Sequence, residues 1–147
     1  YGYIAVKGKS NVLIIDLGTA NTYDLVLKNS DFVGGIIAPG IMTSSTALNS
    51  NTGKLPLLEY RKLSVKAPLI GKNTFEAIQS GLLNYMKYAT EGLVKAVKNQ
   101  YKGKLTVIVT GGSTIFLGSK LNFDHIYKTN TVLEGINIIL NHQVSSK

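Results

Sequence analysis

The sequence predicts an α/β domain in which a three-stranded antiparallel meander is extended by parallel strands joined through crossover helices. Three observations carry that expectation. Strand-like stretches at residues 11–17, Thr22 to Leu27 and Phe32 to Ile37 follow one another through connections too short to hold a helix. Neighbours joined that tightly pair antiparallel, whereas a parallel pair needs a crossover of a dozen residues or more. Further along, a long amphipathic stretch leads into the apolar run Leu105-Thr-Val-Ile-Val109, and helix followed by buried strand is the signature of a parallel addition.

The elements follow in order. Val12 to Ile15 is a short apolar run that delivers Asp16 to the carboxyl end of a strand, and Lys28-Asn-Ser-Asp31 is the polar break between the second and third strands. Gly34-Gly35 and Ala38-Pro39-Gly40 suggest backbone approaching something closely, either a ligand or other backbone. A helix is expected from Ile41 to about Leu48. Asn49 to Pro68 reads as irregular, with Leu55-Pro56-Leu57 extended.

Asn73-Thr-Phe-Glu76 is a capping box, with Asn73 as N-cap and Glu76 three residues on. Phe75, Ile78, Leu82, Met86, Ala89, Leu93 and Val97 then recur at three- and four-residue steps, predicting a helix from Thr74 to about Gln100 with that stripe in the core. Gly81 and Gly92 interrupt it, and a close packing partner is expected at each, because glycine costs about 1 kcal/mol against alanine in a helix. After the strand at 105–109 come Thr110-Gly111-Gly112-Ser113, a short helix, an edge-like strand at His125-Ile126-Tyr127, and a closing helix from Thr131 to His142. Val132, Leu133, Ile136, Ile139 and Leu140 are expected to face inward. This order is the pattern of a ribonuclease-H-like half domain.

Composition narrows the function. The 147 residues are 44% hydrophobic, enough for one domain with a real core. The absence of cysteine rules out disulfides and thiolate metal sites, and His125 and His142 are not at metal-ligand spacing. No apolar run reaches spanning length and no charged-then-apolar leader is visible, so a cytoplasmic protein without a membrane partner is expected. The net charge of +8 rests on lysines spread along the chain and the single Arg61. Base reading and bidentate phosphate contacts lean on arginine, so a solvated lysine surface is favoured over a nucleic-acid face.

Chemistry concentrates at the carboxyl edge of the expected sheet, where ligands of open α/β sheets sit. There Asp16-Leu17-Gly18-Thr19 and Thr110-Gly111-Gly112 are both strand-to-turn segments. Backbone amides of such turns hold phosphate while a nearby carboxylate holds a cation. Thr22 adds a hydroxyl and Asp24 a second carboxylate. An ordinary hairpin also explains Asp-Leu-Gly-Thr. Thr74 beside Lys72, at a helix N-terminus, can hold an anionic or carbonyl-bearing group, though it also reads as a plain surface helix start. No Ser–His–Asp or Cys–His set supports covalent hydrolysis, and His125 reads as structural.

Taken together, Val12-Leu-Ile-Ile-Asp-Leu-Gly-Thr-Ala-Asn-Thr-Tyr-Asp24, Gly34-Gly-Ile-Ile-Ala-Pro-Gly-Ile41, Ala47-Leu48, Lys54-Leu-Pro56, Ile70-Gly-Lys-Asn-Thr74, Ala77-Ile-Gln-Ser-Gly81 and Val109-Thr-Gly-Gly112 resemble, in order and spacing, the C-terminal half of the type III pantothenate kinases, or Bvg accessory factor family. The resemblance covers nearly the whole chain. It implies two ribonuclease-H-like halves clasping ATP, homodimers that bind pantothenate near their interface, and transfer of the γ-phosphoryl group to pantothenate as the first step towards coenzyme A.

It further implies Asp16 as ligand to an activating monovalent cation (potassium or ammonium), with magnesium accompanying the nucleotide. Gly18, Thr19, Gly111 and Gly112 would line the ATP phosphates, and Thr74 would contact pantothenate. The family's first phosphate motif and its Gly-x-Asp-Arg segment, source of the general-base aspartate, are not among these residues. They are expected upstream of Tyr1, in an N-terminal half without which this chain should not turn over. The family's Asp-Pro-x-Leu-Thr-Leu segment is here Tyr127-Lys-Thr-Asn-Thr-Val-Leu133. The competing expectation is a non-catalytic nucleotide- or metabolite-binding regulatory module of the same fold.

Overall fold

The computed structural model describes residues 8–117 and 120–145, with side chains to residue 141; the opening Tyr1-Gly2-Tyr3 lies outside them. Strands β1 (Asn11–Leu17), β2 (Ala20–Val26), β3 (Phe32–Pro39), β4 (Leu105–Thr110) and β5 (Ile126–Tyr127) form one sheet in the order β3-β2-β1-β4-β5. β1 pairs antiparallel with β2 and β2 with β3, while β4 joins β1 and β5 joins β4 in parallel. The meander with parallel additions is therefore present. Among the described residues, helices α1 (Ile41–Asn51), α2 (Thr74–Gln100), α3 (Thr114–Leu117) and α4 (Thr131–Ser145) accompany the sheet, with a 3₁₀ turn at Tyr60–Lys62.

Strand alternation puts Leu13, Ile15 and Leu17 on one face of β1, joined in a single buried cluster by Tyr23 and Leu25 of β2 and by Val107 and Val109 of β4. Helix α2 closes this face with Ile78, Leu82, Leu83, Met86 and Val94. Its stripe is not the purely apolar one expected. Phe75 is exposed, whereas the polar Gln79, Ser80 and Thr90 are buried. Each buried polar residue is satisfied. Gln79 bonds both the backbone N–H and the carbonyl of Ser64, Ser80 donates to the Leu69 carbonyl, and Thr90 meets the Tyr23 hydroxyl at 2.9 Å. The helix thus binds the irregular segment through hydroxyl and amide groups that a hydrophobic count skips. Nothing lies within 4 Å of a methyl group built on Gly81 or Gly92, so the close partner expected there is absent.

The closing helix is the larger correction. Val132, Leu133, Ile136, Ile139 and Leu140 are all exposed, Leu133 by 67%. Thr131, Glu134, Gly135 and Ile138 form the more buried side instead. Val132, Leu133, Ile136, Ile139 and Leu140 do share one face of α4, with Glu134 and Asn141 on the other side, so the period located the apolar face but not what that face meets. Among the described residues no helix is long and apolar enough to cross a membrane.

Candidate functional site

At the carboxyl edge of the sheet, parallel register sets Asp16 beside Thr110, and antiparallel register sets Thr22 on the other side of Asp16. The two turns that leave this edge touch. Ser113 donates its backbone N–H to the Leu17 carbonyl at 2.8 Å, and Gly111 passes directly over Asp16. Gly111 has φ +97°, and a methyl group there would fall 2.4 Å from Asp16 Oδ1 and 2.5 Å from the Leu17 carbonyl oxygen. Only glycine fits both the backbone and the space. Asp16, Thr110, Gly111 and Gly112 line a crevice of about 400 Å³ together with Tyr127, Thr129 and Val132.

The glycine turn is braced from behind. Thr114 Oγ1 donates to the Gly111 carbonyl at 2.6 Å and lies 3.0 Å from the Tyr127 hydroxyl. Tyr60 donates to the Gly112 carbonyl at 3.0 Å, its ring meeting Phe116 edge-on at 5.0 Å. With both carbonyls accepting on the protein side, the turn is fixed in one shape.

Asp16 carries the electrostatic strain of the site. Burial pushes its carboxyl above the usual range, and the nearby Asp24 adds to the shift. Asp24 in turn accepts from Thr22 Oγ1 at 3.2 Å. A methyl on Gly35 would come 2.5 Å from Asp24 Oδ1 and 2.8 Å from the Tyr23 carbonyl oxygen. The glycine at this position therefore admits a neighbouring strand and side chain.

The β1–β2 turn behaves differently from expectation. The Gly18 N–H closes the hairpin on the Ala20 carbonyl at 3.2 Å, so that amide is used internally. Thr19 is exposed, and its carbonyl accepts from Gly40 N–H and Thr43 Oγ1 at 3.0 and 2.7 Å, which ties the turn to the start of α1.

Thr74 is not in this crevice. It lies with Gly71, Lys72 and Asn73 at the rim of a separate cavity of about 1430 Å³, between α1 and α2 and mostly apolar. The capping box is shifted by one residue on its return side. Asn73 Oδ1 accepts from Glu76 N–H at 2.9 Å as expected, but the Glu76 carboxylate accepts from Lys72 N–H at 2.8 Å. His125 Nδ1 is 2.8 Å from the Phe123 carbonyl oxygen, a structural contact. Among the described residues no cluster of three or more His, Asp or Glu could hold a metal ion. A cation at Asp16 would therefore complete its shell with other oxygens.

A family model described as type III pantothenate kinase matches residues 1–96. The chain belongs to the type III pantothenate kinase family. It is 38% identical over 125 residues to a type III pantothenate kinase of Sulfurihydrogenibium sp. (strain YO3AOP1), covering 85% of this chain and 48% of that protein. It is also 38% identical over 140 residues to one from Bacillus cytotoxicus, covering 91% and 52% respectively. The chain thus spans about half the length of these curated relatives. In three dimensions it is similar to a crystal structure from Campylobacter jejuni described as a Baf family transcriptional activator, with TM-score 0.58 and 25% identity over 92% of this chain and 60% of that one.

Within this pantothenate kinase family chain, three features in or around the two cavities were not visible in sequence. Tyr127 and Thr129 reach the crevice because the two-residue strand β5 pairs with β4, a pairing that sequence did not show. Tyr60 lies in a segment without periodicity. Asn21 lies two residues beyond the Asp-Leu-Gly-Thr turn, but strand alternation sends it to the opposite face from Asp16 and to the wall of the larger cavity.

Proposed function

We propose that this chain is the C-terminal half of an ATP-dependent pantothenate kinase that forms 4'-phosphopantothenate, the first step of coenzyme A synthesis. The observation that carries this reading is the meeting of Gly111 with Asp16 where the parallel strands end, in a chain of this family. Asp16 would hold a monovalent cation, potassium or ammonium. A half-buried carboxylate whose charge is disfavoured by burial and by Asp24 is relieved by a bound cation, which supports that assignment. Gly111 and Gly112 would back the phosphates of ATP and its magnesium, with Gly18 and Thr19 forming the facing turn. Positioning and charge neutralisation are most of what phosphoryl transfer asks of a protein.

Thr74 and the cavity between α1 and α2 would take pantothenate. An apolar cleft with a few placed polar groups is the usual form of such a site. The sheet order supports a ribonuclease-H-like half, and the exposed apolar residues of α4 support a second half packed against it, to which the reading assigns the general-base aspartate. Homodimerisation and a cytoplasmic location belong to the same reading.

The test is formation of 4'-phosphopantothenate by the full-length protein from ATP and pantothenate, with potassium or ammonium present. Turnover supports the kinase. Its absence, with nucleotide binding retained, supports a regulatory module instead.

A further inference from the structure

The protein holds the two peptide planes of the Gly111-Gly112-Ser113 turn differently. The plane joining Gly112 to Ser113 is tied at both ends. Its Ser113 N–H donates to the Leu17 carbonyl at 2.8 Å, and its Gly112 carbonyl accepts from the Tyr60 hydroxyl at 3.0 Å. The plane joining Gly111 to Gly112 is tied at its carbonyl alone, which accepts from Thr114 Oγ1 at 2.6 Å and from Thr114 N–H at 3.2 Å. At its other end, the Gly112 N–H donates to nothing among the described residues. A trans peptide sets N–H and C=O in opposite directions, so this N–H points away from the buried Thr114. Gly112 itself is exposed, lines the crevice with Asp16, and has open space where a side chain would stand.

Two adjacent glycines leave the direction of such a donor undecided, because glycine restricts its backbone less than any other residue. A donor serves an anion best when its direction is set before the ligand arrives. Here two side chains that are not among the crevice-lining residues set it from behind. Thr114 opens α3 and is 4% exposed. The Tyr127 hydroxyl also lies 3.0 Å from Thr114 Oγ1, but the carbonyl contact is the shorter of the two. Tyr60 comes from the 3₁₀ turn, and Phe116 steadies its ring.

We infer that Thr114 and Tyr60 are positioning residues for the nucleotide, fixing the turn so that the Gly112 N–H meets a phosphate oxygen of ATP. The inference rests on the kinase reading and adds to it which amide is offered and which side chains aim it. Both hydroxyls act through carbonyls of the turn.

The experiment compares the kinetics of wild-type full-length kinase with those of Thr114→Val, Thr114→Ser and Tyr60→Phe. Thr114→Val keeps the side-chain shape without the hydroxyl, and should raise KM for ATP about fivefold. Thr114→Ser keeps the hydroxyl, and should stay within about twofold of wild type. Tyr60→Phe keeps the ring against Phe116, and should raise KM for ATP about threefold. KM for pantothenate should not move in any of them.

A purely structural role lowers the melting temperatures of Thr114→Val and Tyr60→Phe but leaves KM for ATP where it is, and that result overturns the assignment. Equal rises in both KM values overturn it too, as does a Thr114→Ser variant as impaired as Thr114→Val. If Thr114→Val does not fold, Tyr60→Phe decides, and an unchanged KM for ATP in that variant overturns the assignment. In each of these cases the wild type still phosphorylates pantothenate, so the kinase reading stands. A wild type that does not phosphorylate pantothenate overturns the kinase reading and this inference together.

Discussion

At Asp16 the fold and the proposed chemistry pull in opposite directions. Burial and Asp24 raise its carboxyl pKa, so the folded protein holds that proton more tightly than the unfolded chain does. Its contribution to stability is therefore full below the ordinary carboxylate value and is lost as pH rises through the raised one. Asp16→Asn should flatten this decline, giving a melting temperature at neutral pH equal to or above wild type without added potassium. In full-length kinase the same variant should lose potassium activation. Thermal melts across acid to neutral pH, with and without potassium, check both, and an unchanged potassium response would count against the cation role.

Gly111 is the complementary case. Gly111→Ala combines positive φ with a methyl driven onto Asp16 and the Leu17 carbonyl, and should cost about 1–3 kcal/mol in denaturant unfolding. Gly81→Ala, in open space on α2, should stabilise by up to about 1 kcal/mol. The two glycines look alike in sequence and differ in what stands over them.

Among the elements, α2 does the most to order the molecule. It covers the sheet and carries the polar groups that hold residues 64 and 69. Its hydroxyl contact with the sheet is Thr90 to Tyr23, buried on both sides. Tyr23→Phe removes the phenolic oxygen and leaves the Thr90 hydroxyl without it, at a cost of about 1–2 kcal/mol; Tyr23→Phe with Thr90→Val should recover part of that loss. A loss in the double variant equal to the sum of the two single losses would show that the pair is not coupled. Helix α4 is organised in the opposite way, with its large apolar side chains outward. Leu133→Ser and Ile136→Ser should each change the stability of this chain by no more than about 0.5 kcal/mol, as at other exposed positions. In the full-length protein the same substitutions should cost more if a second half covers the helix. Parallel melts of the two forms measure the difference.

For the whole molecule, the sequence was most legible where chemistry is local. The Thr74–Gln100 helix carries its own start signal in Asn73, and the first strand is a run of branched apolar residues that ends at a carboxylate. The ordered turn motifs were enough to indicate the family, which the family model and the relatives bear out. Legibility fell where the answer depends on distant partners. Thr74 and Asp16 both looked like edge residues, yet they line different cavities, because a long segment and a helix start separate them in space. Phe75 fitted the helical period but lies too near the end of α2 to be covered. The five apolar residues assigned to the inside of α4 share one face, as their spacing indicated, but spacing does not say what a face meets, and in this chain it is exposed.

By itself the sequence determined the order of the elements, the meander, the long capped helix and the family. It could do so because turns, caps and period-two or period-3.6 patterns are written within a few residues of one another. Only the tertiary structure decided that Gly111 closes over Asp16, that Thr74 belongs with Asn21 rather than with Asp16, and that Asn21 keeps an unpaired acceptor. Those facts depend on which strands pair and which side chains remain without partners. Both are settled by packing across the whole chain, not by any stretch of it.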